Sequence, residues 1–156
     1  MMRVLLPITL LALAVGLLAF KVPSEKYRNW HHVKSMVIFD PAHPLYNPFG
    51  GIHHVYANDK ALKTIKIKGE REFPDGSVIA FLLYKADESD GAYVEGDKKI
   101  EAFMVKDSKQ YKDTGGWGFF AYDGKGENLV KDMKTDCFSC HTQVKENDYV
   151  FSVYKE

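Results

Sequence analysis

The sequence predicts a single α+β domain, an antiparallel β-sheet with a few short helices. Three observations lead there. Five short runs have strand chemistry: Ile52–Ala57, Val78–Tyr84, Ile100–Val105, Trp117–Tyr122 and Tyr149–Tyr154. Turn residues rich in Gly, Pro and Asp punctuate them, and few stretches carry a helical period. The only two cysteines stand in CFSCH, Cys137 to His141, late in the chain. A chain of 156 residues, 46% hydrophobic and 27% charged, suits one ordinary core. Lys plus Arg and Asp plus Glu are both 21, so no basic excess points to nucleic acid. There is no internal repeat or low-complexity tract.

The first twenty residues, MMRVLLPITLLALAVGLLAF, put one arginine before an apolar run from Val4 to Phe20. This reads as a secretory signal. The cleavage site is poor, and the 17-residue run is at the lower limit for spanning a bilayer. Residues 1–20 are therefore a signal peptide or an uncleaved N-terminal membrane anchor, and residues 21–156 the folded domain. Either reading exports the domain, to the periplasm or an equivalent compartment.

From Lys21 to Ile38, Ser24 as N-cap and the spacing of Tyr27, Trp30, Val33 and Val37 predict an opening helix with Trp30 on its buried face. His31 and His32 are then helix neighbours that share no face. Phe39–Gly51 carries three prolines and two glycines and reads as a structured loop. Its Tyr46 and Phe49 should cover something apolar. Ile52–Ala57 is a strand in which His53 and His54 point to opposite faces. Asn58 caps a helix to about Lys68, and FPDGS, Phe73 to Ser77, is a turn. VIAFLLY, Val78 to Tyr84, is apolar on both faces, as a central strand should be. Asp87–Lys99 reads as a polar connection into the strand Ile100–Val105. A short helix near Ser108–Tyr111 and a turn at Gly115-Gly116 lead into the strand Trp117–Tyr122. A helix over Asn128–Thr135 presents Cys137, and Tyr149–Tyr154 alternates as a closing strand.

CFSCH is the pattern for covalent attachment of one haem c. Each thiol adds across a vinyl group, and the adjoining His141 becomes the axial iron ligand. A redox C-x-x-C would not need the histidine and belongs early in a thioredoxin-like unit. A zinc half-site would need a second ligand pair, whereas His53 and His54 lie more than eighty residues upstream. In an exported protein two cysteines could form a disulfide, but the abutting histidine argues against that. The haem would lie against one face of the sheet. The common small c-type cytochromes differ, being largely helical with the motif near the N-terminus, and the four-helix cytochromes differ by fold.

YRNWHHV, HHVYAN, FPDGSVI, MVKDSKQY, GGWGF, CFSCH and VFSVY, in that order, resemble the cytochrome P-460 and cytochrome c′-beta family. The resemblance implies a homodimeric, β-rich cytochrome with one five-coordinate haem c, His141 proximal and the opposite face open to small gases. P-460 enzymes oxidise hydroxylamine and carry a strand lysine cross-linked to the porphyrin. Matching the family's aspartate-glycine turn to Asp75-Gly76 places that lysine's position at Phe81, which has no nucleophilic nitrogen. Lys85 lies four residues further on, about 13 Å along an extended strand. The cytochrome c′-beta branch has phenylalanine near the open iron face, so the resemblance puts Phe81 on the distal wall. It also puts His53 near the distal residue, where it could bond a bound ligand, ligate iron or sit at the rim.

Three classes of function follow. The leading one is a cytochrome that binds a gas, nitric oxide or carbon monoxide, for binding, sequestration or detoxification. The second is a hydroxylamine- or nitric-oxide-oxidising enzyme, needing a redox partner and a proton acceptor such as Asp132 or Asp136. The third is a six-coordinate electron carrier with Met104 or His53 as second axial ligand. Met104 in an apolar strand reads equally as core.

Overall fold

The computed structural model describes residues 26–155; the leader lies outside the described residues. Five antiparallel strands form one sheet in the order β1-β2-β3-β4-β5, so every strand pairs with its neighbour in sequence. They are β1 (His31–Ile38), β2 (Gly51–Ala57), β3 (Val78–Ser89), β4 (Ala92–Lys106) and β5 (Trp117–Asp123). This is the expected α+β architecture with short helices. Among the described residues no helix is long and apolar enough to cross a membrane.

β3 occupies the centre, and its composition explains why. Val78, Ala80 and Leu82 pack on one face with Tyr27, Phe103 and Val105. Ile79 faces the other side, where Val55, Phe119, Trp117, Phe73 and Val150 meet the helix residues Ala61 and Ile65. A strand buried on both faces reads as a continuous apolar run, as VIAFLLY does. The helix Asp59–Ile65 starts at Asn58, whose side chain accepts the Ala61 N–H at 3.0 Å. It ends sooner than Lys68, at the cap residue Lys66. Asn58 also accepts the Val78 N–H at 3.1 Å and donates to the Gly76 carbonyl at 2.9 Å. One side chain thus caps a helix and fixes the entry of β3. Asn58→Ala should lower unfolding free energy by about 1–2 kcal/mol in a urea melt, the upper part of the range for a lost N-cap.

Six segments differ from the sequence reading. Phe39–Gly51, expected as loop throughout, holds a single helical turn at Tyr46–Phe49 and gives Gly51 to β2. The opening helix is one 3₁₀ turn, Lys26–Asn29, followed by β1. Pairing with β2 from His31↔Ala57 to Ile38↔Gly51 overrides the apparent helical spacing. A bulge between His32 and Lys34 inserts Val33, fully buried, and so hides the alternation. Trp30 is only half-buried, beside the Tyr27 cluster. The polar connection Asp87–Lys99 is mostly ladder, a long hairpin whose turn is Asp90-Gly91, both at positive φ. Ser108–Gln110 is a turn, and a 3₁₀ turn follows at Lys112–Thr114. The helix expected over Asn128–Thr135 begins only at Met133, because Asn128 bridges to Tyr122 of β5. Finally, Tyr149–Tyr154 joins no strand. Asp148 and Tyr149 at φ 52° and 64° turn the chain across the core. The Arg71 guanidinium then takes the Val150 and Ser152 carbonyls at 3.0 and 2.7 Å. Five strands are present as anticipated, with β1 in place of the closing one.

Candidate haem site

The motif lies on a continuous helical segment. Lys134–Phe138 forms a π-type turn, Ser139–His141 an α turn, and a 3₁₀ stretch follows. π turns are rare and concentrate at functional sites. Cys137 and Cys140 are both free thiols, three residues apart and so on one side of the helix. Cys137 is half-buried and packs on the core, whereas Cys140 is exposed. Burial, with the Asp136 carboxylate, pushes the Cys137 thiol up to about 11. A redox C-x-x-C needs the opposite shift. Among the described residues no group of three or more His, Cys, Asp or Glu could hold a metal ion, so no zinc set forms either.

His141 is held from several sides. Its Nδ1–H donates to the Tyr149 carbonyl at 2.7 Å, which leaves the Nε2 lone pair free. Its ring lies 4.9 Å from the Phe119 ring and 5.1 Å from that of Phe151. Burial lowers its pKa, opposed in part by the Tyr149 bond. The imidazole is therefore neutral, oriented and able to ligate, the usual outer-shell arrangement for a metal-binding histidine. Phe138 of the motif packs between Phe119 and Tyr149, at 6.2 and 5.0 Å, and docks the helix on the sheet.

The strand register extends the site. Phe81 pairs with Ala102, Ala102 with Ala121, and Met104 with Phe119. By the two-residue period all five side chains share the face that meets His141. Phe81, Ala102, Met104 and Ala121 are only half-buried, so two alanines between the Phe81 and Phe119 rings form a partly exposed apolar floor. His53 is on the same face, 97% buried, its ring edge-on to Phe81 at 5.2 Å. His54 is on the opposite face, bonded to Ser35 and Glu95. His53 Nε2–H donates to the Phe49 carbonyl. Lys99 Nζ donates to the next carbonyl, Gly50, at 2.7 Å. Together they pin the Phe39–Gly51 loop, and Phe49 meets Phe81 edge-on at 6.1 Å. Burial lowers the pKa of His53 and so favours its neutral form, and its Nε2–H is taken up by Phe49.

Other candidates sit apart or have tasks. Asp136 Oδ2 accepts the Lys131 and Asp132 N–H groups at 2.8 and 2.9 Å. Those backbone bonds hold its pKa below the ordinary range. Asp132 is exposed. Met104 packs against the core cluster. Lys85 is 65% exposed and pairs with Asp87 at 2.8 Å, beyond a register irregularity at Tyr84. A cavity of about 380 Å³ lined by Lys66, Arg71 and Tyr154 does not touch the motif.

A free imidazole Nε2, two thiols on one helix side and a half-exposed apolar floor together suit an iron porphyrin: they would supply a ligand, tethers and an apolar surface. Phe119, Phe151 and the Tyr149 carbonyl escaped the sequence reading. The alternation of WGFFAY could have indicated Phe119. A backbone carbonyl after a left-handed turn leaves no such signal. No curated protein matches the chain. A family model, Cytochrome P460, matches residues 24–152. That match spans most of the chain and implies a haem cofactor, which the site fits: the chain belongs to the cytochrome P460 family.

Proposed function

We propose that this protein is a mono-haem c-type cytochrome that binds a small gas, nitric oxide above all, at an open axial position. Cys137 and Cys140 tether the group by thioether bonds, and His141 Nε2 binds the iron. When bound, haem supplies an axial position that can take a neutral diatomic. The chain supplies the surroundings. The Tyr149 carbonyl on Nδ1–H makes His141 a stronger donor. Phe81 and Phe49 wall the other side and exclude water. His53 anchors the Phe49 loop.

The observation that carries this reading is Phe81 at the β3 end of the floor, with the His53 Nε2–H beside it already bonded to Phe49 and the Lys99 ammonium bonded to Gly50. A wall of that kind favours an uncharged ligand, and the one base in it, the His53 imidazole, is buried and tied to the Phe49 carbonyl. It supports a reading nearer the cytochrome c′-beta branch than the hydroxylamine-oxidising one. Lys85, exposed and paired with Asp87, supports the same side. The protein works outside the cytoplasm, released or anchored by its leader, as a homodimer reduced by a separate redox partner.

The ferrous protein should bind nitric oxide and carbon monoxide with clear optical changes. It should not turn over hydroxylamine with an artificial electron acceptor, and peptide mapping should find Lys85 unmodified. Sustained hydroxylamine oxidation, or Lys85 bonded to the porphyrin, would overturn the gas-binding reading.

A further inference from the structure

The carbonyl that holds His141 belongs to Tyr149, the second of two successive non-glycine residues at positive φ. Left-handed backbone is unfavourable for residues with a Cβ and persists where the surroundings over-determine it. Here the surroundings grip Asp148. Lys106 Nζ donates to Asp148 Oδ1 and Oδ2 at 2.7 and 2.8 Å. The Phe73 N–H donates to Oδ2 at 2.8 Å, and Trp117 Nε1–H donates to the Asp148 carbonyl at 2.8 Å. Lys106 also donates to the Gly115 carbonyl at 3.1 Å and lies 5.1 Å from the Trp117 ring centre. A Cβ at Gly115 would meet the Tyr149 ring at 2.3 Å, so that glycine leaves room for the same corner.

The geometry points to Lys106 as a positioning residue for His141. Through the Asp148 carboxylate it fixes the left-handed corner, keeps the Tyr149 carbonyl on Nδ1–H, and so sets how strongly Nε2 donates to iron. The side chains of Lys106 and Asp148 are 9% and 11% exposed. A pair so buried is weak evidence for net stability, and fixing one arrangement is its better-attested use. This ion pair grips the residue immediately before the acceptor, from the end of β4 and the start of β5. The inference rests on the reading of His141 as iron ligand.

The test uses the haem-loaded protein in its ferrous form. The iron–histidine stretching mode in resonance Raman and the reduction potential are compared across variants. In Lys106→Met the mode should move to lower frequency and the potential should rise, because a loosened acceptor weakens the donor. Asp148→Asn should do the same while keeping a residue that tolerates the left-handed region, which covers the case where Lys106→Met does not fold. Lys106→Arg should restore much of the wild-type mode. Asn58→Ala, destabilised at a distant cap, should leave both readouts where they are. An unmoved mode and potential in folded Lys106→Met or Asp148→Asn overturns this inference alone. Absence of the mode from the wild-type protein overturns the ligand assignment, and this inference with it.

Discussion

Replacing both Cys137 and Cys140 by alanine is expected to convert a haem that stays with the polypeptide through acid-acetone extraction into one that extracts freely. Each tether forms when a thiol S–H adds across a vinyl C=C: sulfur bonds one carbon and the hydrogen goes to the other. Both cysteines are free and project from one side of the motif helix. Burial and the Asp136 carboxylate push the Cys137 thiol up to about 11, which disfavours the thiolate that disulfide exchange uses. Each single variant should keep one thioether and remain coloured after extraction. Free extraction from the wild-type protein would remove the covalent claim.

The second large effect is at Phe81. Phe81→Ala should speed nitric oxide and carbon monoxide association while leaving the His141 bond unchanged. If the ring contributes about 1.4 kcal/mol to the entry barrier, the rate rises about tenfold. The stability cost should be about 2–4 kcal/mol. That is below the full range for a buried Phe→Ala, because Phe81 is only half-buried. Its edge-on contacts with His53 and Phe49 account for part of the loss. Phe103→Ala makes a useful control. Phe103 is buried on the other face of the sheet, so its loss should destabilise the protein without changing ligand rates. Equal rates in wild type and Phe81→Ala would show that the gas does not enter past this ring.

How much of this was legible in the sequence varies by element. VIAFLLY announced a central strand because burial on both faces leaves a composition signal that needs no partner to interpret. The opposite facing of His53 and His54 followed from the strand period alone. β1 was misread because its bulge at Val33 breaks that period, and a broken period over His31–Ile38 imitates a helical one. The closing segment failed for the reverse reason. VFSVY alternates, but the left-handed pair Asp148-Tyr149 and the Arg71 guanidinium take it off the sheet. Arg71, and the Lys106 ammonium that grips Asp148, are distant in sequence. At the site, the spacing of Cys137, Cys140 and His141 marks them as candidates, and the fold sets all three on one helical segment. The Tyr149 carbonyl, the Lys106–Asp148 pair and the bonding of His53 to Phe49 were not. They depend on backbone groups and long-range contacts that residue identity does not record.

The central claim is an iron held on one side by His141 and open on the other. Resonance Raman and optical spectra of the resting ferric and ferrous protein test it most directly. Five-coordinate, high-spin iron is expected in both states, with an iron–histidine mode in the ferrous protein. Low-spin, six-coordinate resting iron, turning high-spin only when His53 or Met104 is replaced, would contradict it.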